Sequence, residues 1–284
     1  MWNRKLCLNV GSFGLSGPEE VKIFADAGFE AYFFEWNPRN SPEKLVGAGK
    51  DAGLELQSIH APFGKSAKMW GDDAEAGKDA LDELTECLRV CEKFGAPIMI
   101  VHAFIGFEDH SPTPAGIERY GALAREAEKC GVKIALENTE GEEYLAALME
   151  ALRSEASVGF CWDSGHEMCY NHSKDMLALY GDRLIATHLN DNLGVRDFGG
   201  KITYIDDLHL LPFDGIADWD NNAARLDRCG FAGPLTFELS TVSKPGRREN
   251  DLYRKLSPEE YIAECYKRAC RVAAKMKGAF ELRN

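Results

Sequence analysis

The sequence predicts an α/β chain folded as one closed (β/α)8 TIM barrel over residues 1–284, and three observations carry that prediction. Short, nearly continuous apolar runs alternate strictly with helix-patterned stretches, as parallel strands covered on both faces do. The alternation completes eight times, which argues for closure into a barrel rather than a doubly wound sheet. The length, 284 residues, is close to what one such barrel needs.

Each element has its own signal. Residues 5–10 read as the first strand; Pro18-Glu19-Glu20 then opens a helix that Gly28 closes, with proline early and glycine at the end. Residues 31–36 are the second strand, and Ser41-Pro42-Glu43 starts a helix stopped by Gly53. Residues 55–60 are the third strand, followed by the loop APFGKSAKMWGD and a long helix over 73–94 ended by Gly95. Residues 97–102 are the fourth. The loop AFIGFEDHSP leads to a helix start at Thr113-Pro114, and Gly131 ends that helix before strand five, 132–137. A helix over 142–154 precedes strand six, 158–162, and a helix over 174–180 precedes strand seven, 184–189. The connection 190–217 is about three or four times a usual loop, and loops that long inside compact domains tend to be functional. Asp218 caps a short helix closed by Gly230, residues 234–239 are strand eight, and Ser257-Pro258-Glu259-Glu260 is a capping box for the last helix.

Composition narrows the functional classes. Hydrophobic residues make up 45% and charged residues 28%, an ordinary globular balance. No apolar run approaches the roughly 20 residues that span a bilayer, and the start MWNRKLCLNVGSF lacks a signal-peptide pattern, so a cytoplasmic protein is expected. The nine cysteines are odd in number and contain no CxxC pair, which predicts reduced, buried thiols. A net charge of −13 disfavours nucleic acid and anionic membranes as partners. GSFGLSG after the first strand lacks the GxGxxG spacing of a dinucleotide site.

The chemistry sits where the apolar runs stop. Such runs end at His60, His102, Glu137, Asp163, His188 and Glu238, with His166 three residues beyond Asp163. In a (β/α)8 barrel these carboxyl ends form the active-site face. Glu137, Asp163, His188 and Glu238 end strands five to eight, neighbours around half of the mouth. Three carboxylates converging there repel one another and take up protons unless a divalent cation removes the conflict. Mostly oxygen ligands with one nitrogen suit Mn²⁺, Mg²⁺ or Co²⁺, with Zn²⁺ an alternative.

At SIHAP, VHAF, LENTEG, CWDSGH, THLNDN, DLHLLPFDGIADW and FELS the chain resembles the xylose isomerase-like barrel superfamily, over essentially its whole length. That superfamily holds sugar isomerases and epimerases, inosose dehydratase and endonuclease IV. The resemblance implies a metal-dependent isomerase or epimerase of a sugar or sugar phosphate. One metal would be held by Glu137, Asp163, His188 and Glu238, the two glutamates also moving the proton. It implies a substrate-oxygen ligand in His166 and a substrate contact in Arg196, although a solvated loop arginine is the plainer reading of Arg196. His60 and His102 are expected to line the pocket; His110 and His172 are expected at the surface. Phe34, Trp36, Phe63, Trp70, Phe104 and Phe107 are candidate sugar-pocket walls, packing being the competing reading.

Two alternatives stay open. One is a metal-dependent lyase acting on a sugar acid or inosose. The other follows from the resemblance to endonuclease IV, whose nine ligands hold three zinc ions. Residues of the right type stand at all nine places: His60, His102, Glu137, Asp163, His166, His188, Asp207, His209 and Glu238. The acidic loops FEDHSP, ENTEGEE and FDGIADWDN weigh against a nuclease, which grips phosphates with Lys and Arg. A non-catalytic carbohydrate-binding protein and a homo-oligomeric assembly are also compatible with the sequence.

Overall fold

A computed structural model describes residues 3–108, 111–195 and 201–278. The eight strands are β1 (Leu6–Val10), β2 (Ala31–Glu35), β3 (Glu55–His60), β4 (Ile98–His102), β5 (Lys133–Glu137), β6 (Val158–Asp163), β7 (Leu184–His188) and β8 (Leu235–Phe237). They pair in parallel in the order β7-β6-β5-β4-β3-β2-β1-β8. The two ends of that order meet, because Leu189 bridges Phe237 and its N–H donates to the Thr236 carbonyl at 2.7 Å. The sheet is thus a nearly closed barrel, as the alternation predicts.

Around it lie α1 (Gly17–Ala27), α2 (Glu43–Asp51), α3 (Ala74–Phe94), α4 (Pro114–Cys130), α5 (Glu142–Ala151), α6 (Ser164–Cys169), α7 (Met176–Tyr180), α8 (Trp219–Arg228) and α9 (Pro258–Ala273). Most begin at the predicted caps. Asp73 accepts from the N–H groups of Glu75 and Ala76, and Ser257 and Glu260 form the expected capping box. Two expectations need correction. The pattern predicts one helix between strands six and seven, whereas α6 precedes α7; six residues are too few to display a helical period. Strand eight is three residues rather than six, because Leu239 leaves the ladder and donates its N–H to Asn9 Oδ1 at 2.8 Å.

Side-chain alternation divides the core. Large residues such as Phe24, Phe160 and Phe237 belong to the main apolar cluster, in which strand residues pack with those of the helices, each contributing about 1.5–3 kcal/mol by leaving water. Two separate small clusters, Cys7-Ala31-Phe33 and Ile100-Ala135-Cys161-Ala186, lie on the other face of the strands. Mostly small residues suit the narrow interior of an eight-stranded barrel. Two positions on from Ile100, Ala135, Cys161 and Ala186 stand His102, Glu137, Asp163 and His188. The strand period of two therefore turns those four polar side chains into the barrel mouth.

The long connection after β7 is organised by Asp191, which is fully buried. Its backbone forms an antiparallel bridge with Leu210. Its carboxylate accepts from the N–H groups of Asn192, Phe213 and Ala217 and from Trp219 Nε1, at 2.8–3.0 Å. A Cβ at Gly215 would stand 2.2 Å from Asp191 Oδ1, so only glycine lets the chain pass so close. Among the described residues no helix is long and apolar enough to cross a membrane, and no disulfide forms. Replacing Asp191 by Ala strands four donors in a dry environment, each costing about 1–3 kcal/mol when left unsatisfied. Some donors will recover water, so a loss of about 3–5 kcal/mol is expected in chemical denaturation; a loss below about 1 kcal/mol would show that the connection is held by other contacts.

Candidate metal centre

The DSGH stretch explains how one turn of chain builds a corner of the site. Asp163 ends β6 and caps α6, accepting from the His166 N–H at 2.7 Å, which aims the imidazole back toward the barrel axis. Ser164 Oγ donates to the Asn190 carbonyl at 2.7 Å, tying α6 to the end of β7. A Cβ at Gly165 would lie 1.9 Å from Asn190 Oδ1; without one, Asn190 Nδ2 reaches both oxygens of Asp163, at 3.2 and 2.9 Å. Asn138 completes the support, bonding the backbone N–H and carbonyl of Asp163 at 2.7 and 2.9 Å.

Glu137 lies at the centre with no exposure, inside a ring of four imidazoles. Its Oε1 is 2.9 Å from His188 Nδ1 and 3.6 Å from His166 Nδ1. Its Oε2 is 3.3 Å from both His60 Nε2 and His102 Nε2. Glu238 Oε2 stands 3.0 Å from His188 Nδ1, and Phe33 stacks on the His188 ring at 4.7 Å. On the facing wall, Asp207 Oδ2 is 2.8 Å from His209 Nε2, and Asp207 Oδ1 is 3.6 Å from His166 Nε2. His209 adopts a left-handed backbone, φ 48°, with its Nδ1 3.2 Å from the Glu238 carbonyl. A non-glycine residue held there is strained, and such strain is commonest at functional sites.

The residues fit a metal on three counts. Glu137, Asp163, His188 and Glu238 offer ligand atoms that all lie within 4.8 Å of one another. His60-Glu137-His188 and His166-Asp207-His209 form two further groups that meet the same limit. Glu137 Oε2 and Asp207 Oδ1 are buried with no hydrogen-bond partner, an arrangement that costs free energy unless a cation fills it. The electrostatics agree. Burial and the neighbouring Glu137 and Glu238 charges lift the Asp163 carboxyl to about 6, against the pull of His166. Burial opposes charge on Glu137, but His188 and the adjacent His102 and His60 rings hold its carboxyl well below the usual range. Burial likewise disfavours the charged imidazoles; for His188 the Glu137 and Glu238 charges more than offset it, for His209 the Asp207 and Glu238 charges, raising His209 to about 9. In the metal-free protein, protons stand in for cations.

Of the residues expected in the site, nine come together: His60, His102, Glu137, Asp163, His166, His188, Asp207, His209 and Glu238. Arg196 and His110 lie outside the described residues. His172 is exposed, as expected. Among the aromatics Phe63 lines the cavity, whereas Phe34, Trp36, Trp70 and Phe104 belong to the main core. The inward-facing member of the β2 pair is Phe33, a matter of strand parity. Sequence reasoning passed over Asn138, Asn190, Glu140 and Lys244; the first three stood within the quoted motifs, within three residues of Glu137 or His188, and Lys244 stood in none. The cavity above the cluster has a volume of about 670 Å³, large enough for a small polar molecule. His60, His102, His166, Asp207, His209 and Glu238 form much of its floor.

The chain matches the family model described as xylose isomerase-like TIM barrel over residues 21–264, and it belongs to that family. Among relatives, the uncharacterized protein y4fM of Sinorhizobium fredii is 26% identical over 88% of this chain and 90% of its own length. The human putative hydroxypyruvate isomerase is 32% identical over 39% of each chain. Among solved structures, a fusion of a xylose isomerase-like barrel with 4-hydroxyphenylpyruvate dioxygenase superposes with a TM-score of 0.75 and 16% identity. It covers 96% of this chain, which spans 43% of the fusion. D-psicose 3-epimerase with D-tagatose, from Clostridium cellulolyticum H10, has a TM-score of 0.69 and 16% identity, covering 98% of this chain and all of that one.

Because neighbouring carboxylates raise His166, His188 and His209 above the ordinary imidazole range, metal uptake should expel protons. Calorimetric titration at pH 7 with Mn²⁺, in buffers of different ionisation enthalpy, should therefore show net proton release. Affinity should rise as pH increases toward the His209 value of about 9, and fall more steeply below about 6, where Asp163 also takes up its proton. A heat independent of buffer would contradict this electrostatic picture.

Proposed function

We propose that the protein is a divalent-metal-dependent isomerase or epimerase acting on a small sugar or sugar phosphate. The observation that carries this reading is the convergence of Glu137, Asp163, His188 and Glu238 at the base of a cavity of about 670 Å³. Those four residues would hold one ion, with Mn²⁺, Mg²⁺ or Co²⁺ favoured by the oxygen-rich set. When bound, the ion supplies Lewis-acid polarisation of a substrate carbonyl, which makes the neighbouring C–H acidic. Family membership and the likeness to an epimerase and to part of a hydroxypyruvate isomerase support the same class of chemistry.

Proton transfer falls to Glu137 and Glu238. Glu238 lines the cavity with its side chain 23% exposed, so its carboxylate can take a proton from a carbon next to the carbonyl. Glu137, fully buried behind the cavity lining and ringed by imidazoles, is the partner that returns one, with His188 touching both carboxylates. His60, His102 and His166 offer donors to substrate hydroxyls. Glu35, Glu140, Asp207 and Glu238 on the walls make the cavity unwelcoming to a polyanion.

A second reading has its own observation. The two further ligand groups, with Glu137 placed between four imidazoles, are the arrangement a three-metal phosphodiesterase would need. Metal content and isotope exchange separate the two. The first reading predicts about one Mn, Mg or Co per chain by elemental analysis, and solvent deuterium entering a ketose next to its carbonyl. Glu238→Gln should slow that exchange by about 10²–10⁴-fold while keeping the fold. Close to three zinc ions per chain, cleavage of abasic DNA and no exchange would replace it with the second.

A further inference from the structure

We infer that the substrate carries a negative group, a carboxylate or a phosphate, and that Lys244 with Ser12 reads it. Among the described residues Lys244 is the one Lys or Arg lining the main cavity, whose walls otherwise carry acids. A smaller cavity of about 340 Å³ adjoins it, and the two share Asn9, Ser12, His209, Glu238 and Lys244. Lys244 therefore stands in the wall between the metal-binding floor and a side chamber. Its side chain is three-quarters buried, at 25% exposure, with the ammonium 3.3 Å from Asp207 Oδ2.

Asp207 takes only one of that lysine's donors: Lys244 Nζ donates to Asp207 Oδ2 at 3.3 Å. Its Oδ2 already has His209 at 2.8 Å, and its Oδ1 faces His166. The ammonium carries three donors and gives one to Asp207, which leaves two for an incoming anion. Ser12 stands ready beside it. Ser12 Oγ accepts from Asn9 Nδ2 at 2.8 Å and, among the described residues, has no acceptor for its own proton. Asn9, near the end of β1, also clasps Leu239 through both its amide atoms, at 3.0 and 2.8 Å, and Thr241 Oγ1 donates to the Ser12 carbonyl at 2.9 Å, so the loops after β1 and β8 are held together. A cation and a free hydroxyl on fixed loops recognise one terminal oxyanion. They cannot serve a chain of phosphates.

The inference rests on the proposed carbohydrate chemistry only in taking the ligand to be a sugar, and binding tests it without turnover. Titration calorimetry on the metal-loaded protein would compare D-fructose, D-fructose 6-phosphate and D-gluconate, and the five-carbon set D-ribulose, D-ribulose 5-phosphate and D-ribonate. Tighter binding of an anionic member than of its neutral counterpart is expected. Lys244→Gln should weaken that anion by about ten- to hundredfold, as loss of a charge-assisted hydrogen bond does, and leave the neutral sugar unchanged. Lys244→Arg should restore most of the affinity, with metal content and circular dichroism the same in both variants. Whichever anion loses more in Lys244→Gln identifies carboxylate or phosphate as the group read. Equal loss for neutral and anionic ligands, no loss for the anions, or no binding of any anion at millimolar concentration would overturn the inference. Failure of the deuterium exchange with this pattern intact would sink the isomerase reading alone.

Discussion

The repulsion among buried carboxylates is the constraint on which the rest depends. Glu137, Asp163 and Glu238 are brought together where water is scarce, and a like-charge cluster of that kind is stable only if something positive enters it. Imidazoles raised above their ordinary range supply that charge when no cation is bound: His188 touches both glutamates, and His166 approaches Glu137. A cation can do the same with less ambiguity, since it needs those ligands deprotonated. The same charges that resist burial are thus what would favour a cation there.

Holding such a cluster demands a rigid frame, and the barrel supplies it at two levels. Strand pairing sets neighbours side by side: His102 pairs with Glu137, and Asp163 with His188. Loop anchors do the rest. Asp191 folds the long connection onto the barrel, which delivers Asp207 and His209 from a stretch with little regular structure of its own. Asn138 and Asn190 fix Asp163 from two sides. These groups never need to meet substrate; their work is to keep ligands within tenths of an ångström of where chemistry needs them.

The cavity then sorts what can enter. Histidines and acids line much of it, and among the described residues Lys244 is the one Lys or Arg that does. On the proposed reading, that distribution suits a small molecule with many hydroxyls and one negative group. It gives a nucleic-acid backbone no continuous basic track.

The polar strand ends were legible in the sequence for a local reason. A buried parallel strand must be apolar, so the residue at which it turns polar marks the mouth of the barrel, and this holds at His60, His102, Glu137, Asp163 and His188 alike. The helix caps at Asp73, Thr113 and Ser257 were legible because capping is settled within four residues. Other features were decided only by the folded chain. Inward parity at Phe33 rather than Phe34 depends on pairing with both neighbouring strands. The brevity of β8 depends on Asn9, 230 residues away, capturing Leu239. Lys244 looks like any loop lysine until the loop after β8 is clasped against the loop after β1. Short-range order sets periodicity, capping and the identity of candidate ligands. Which of them face one another is a matter of long-range closure, which a linear pattern does not encode residue by residue.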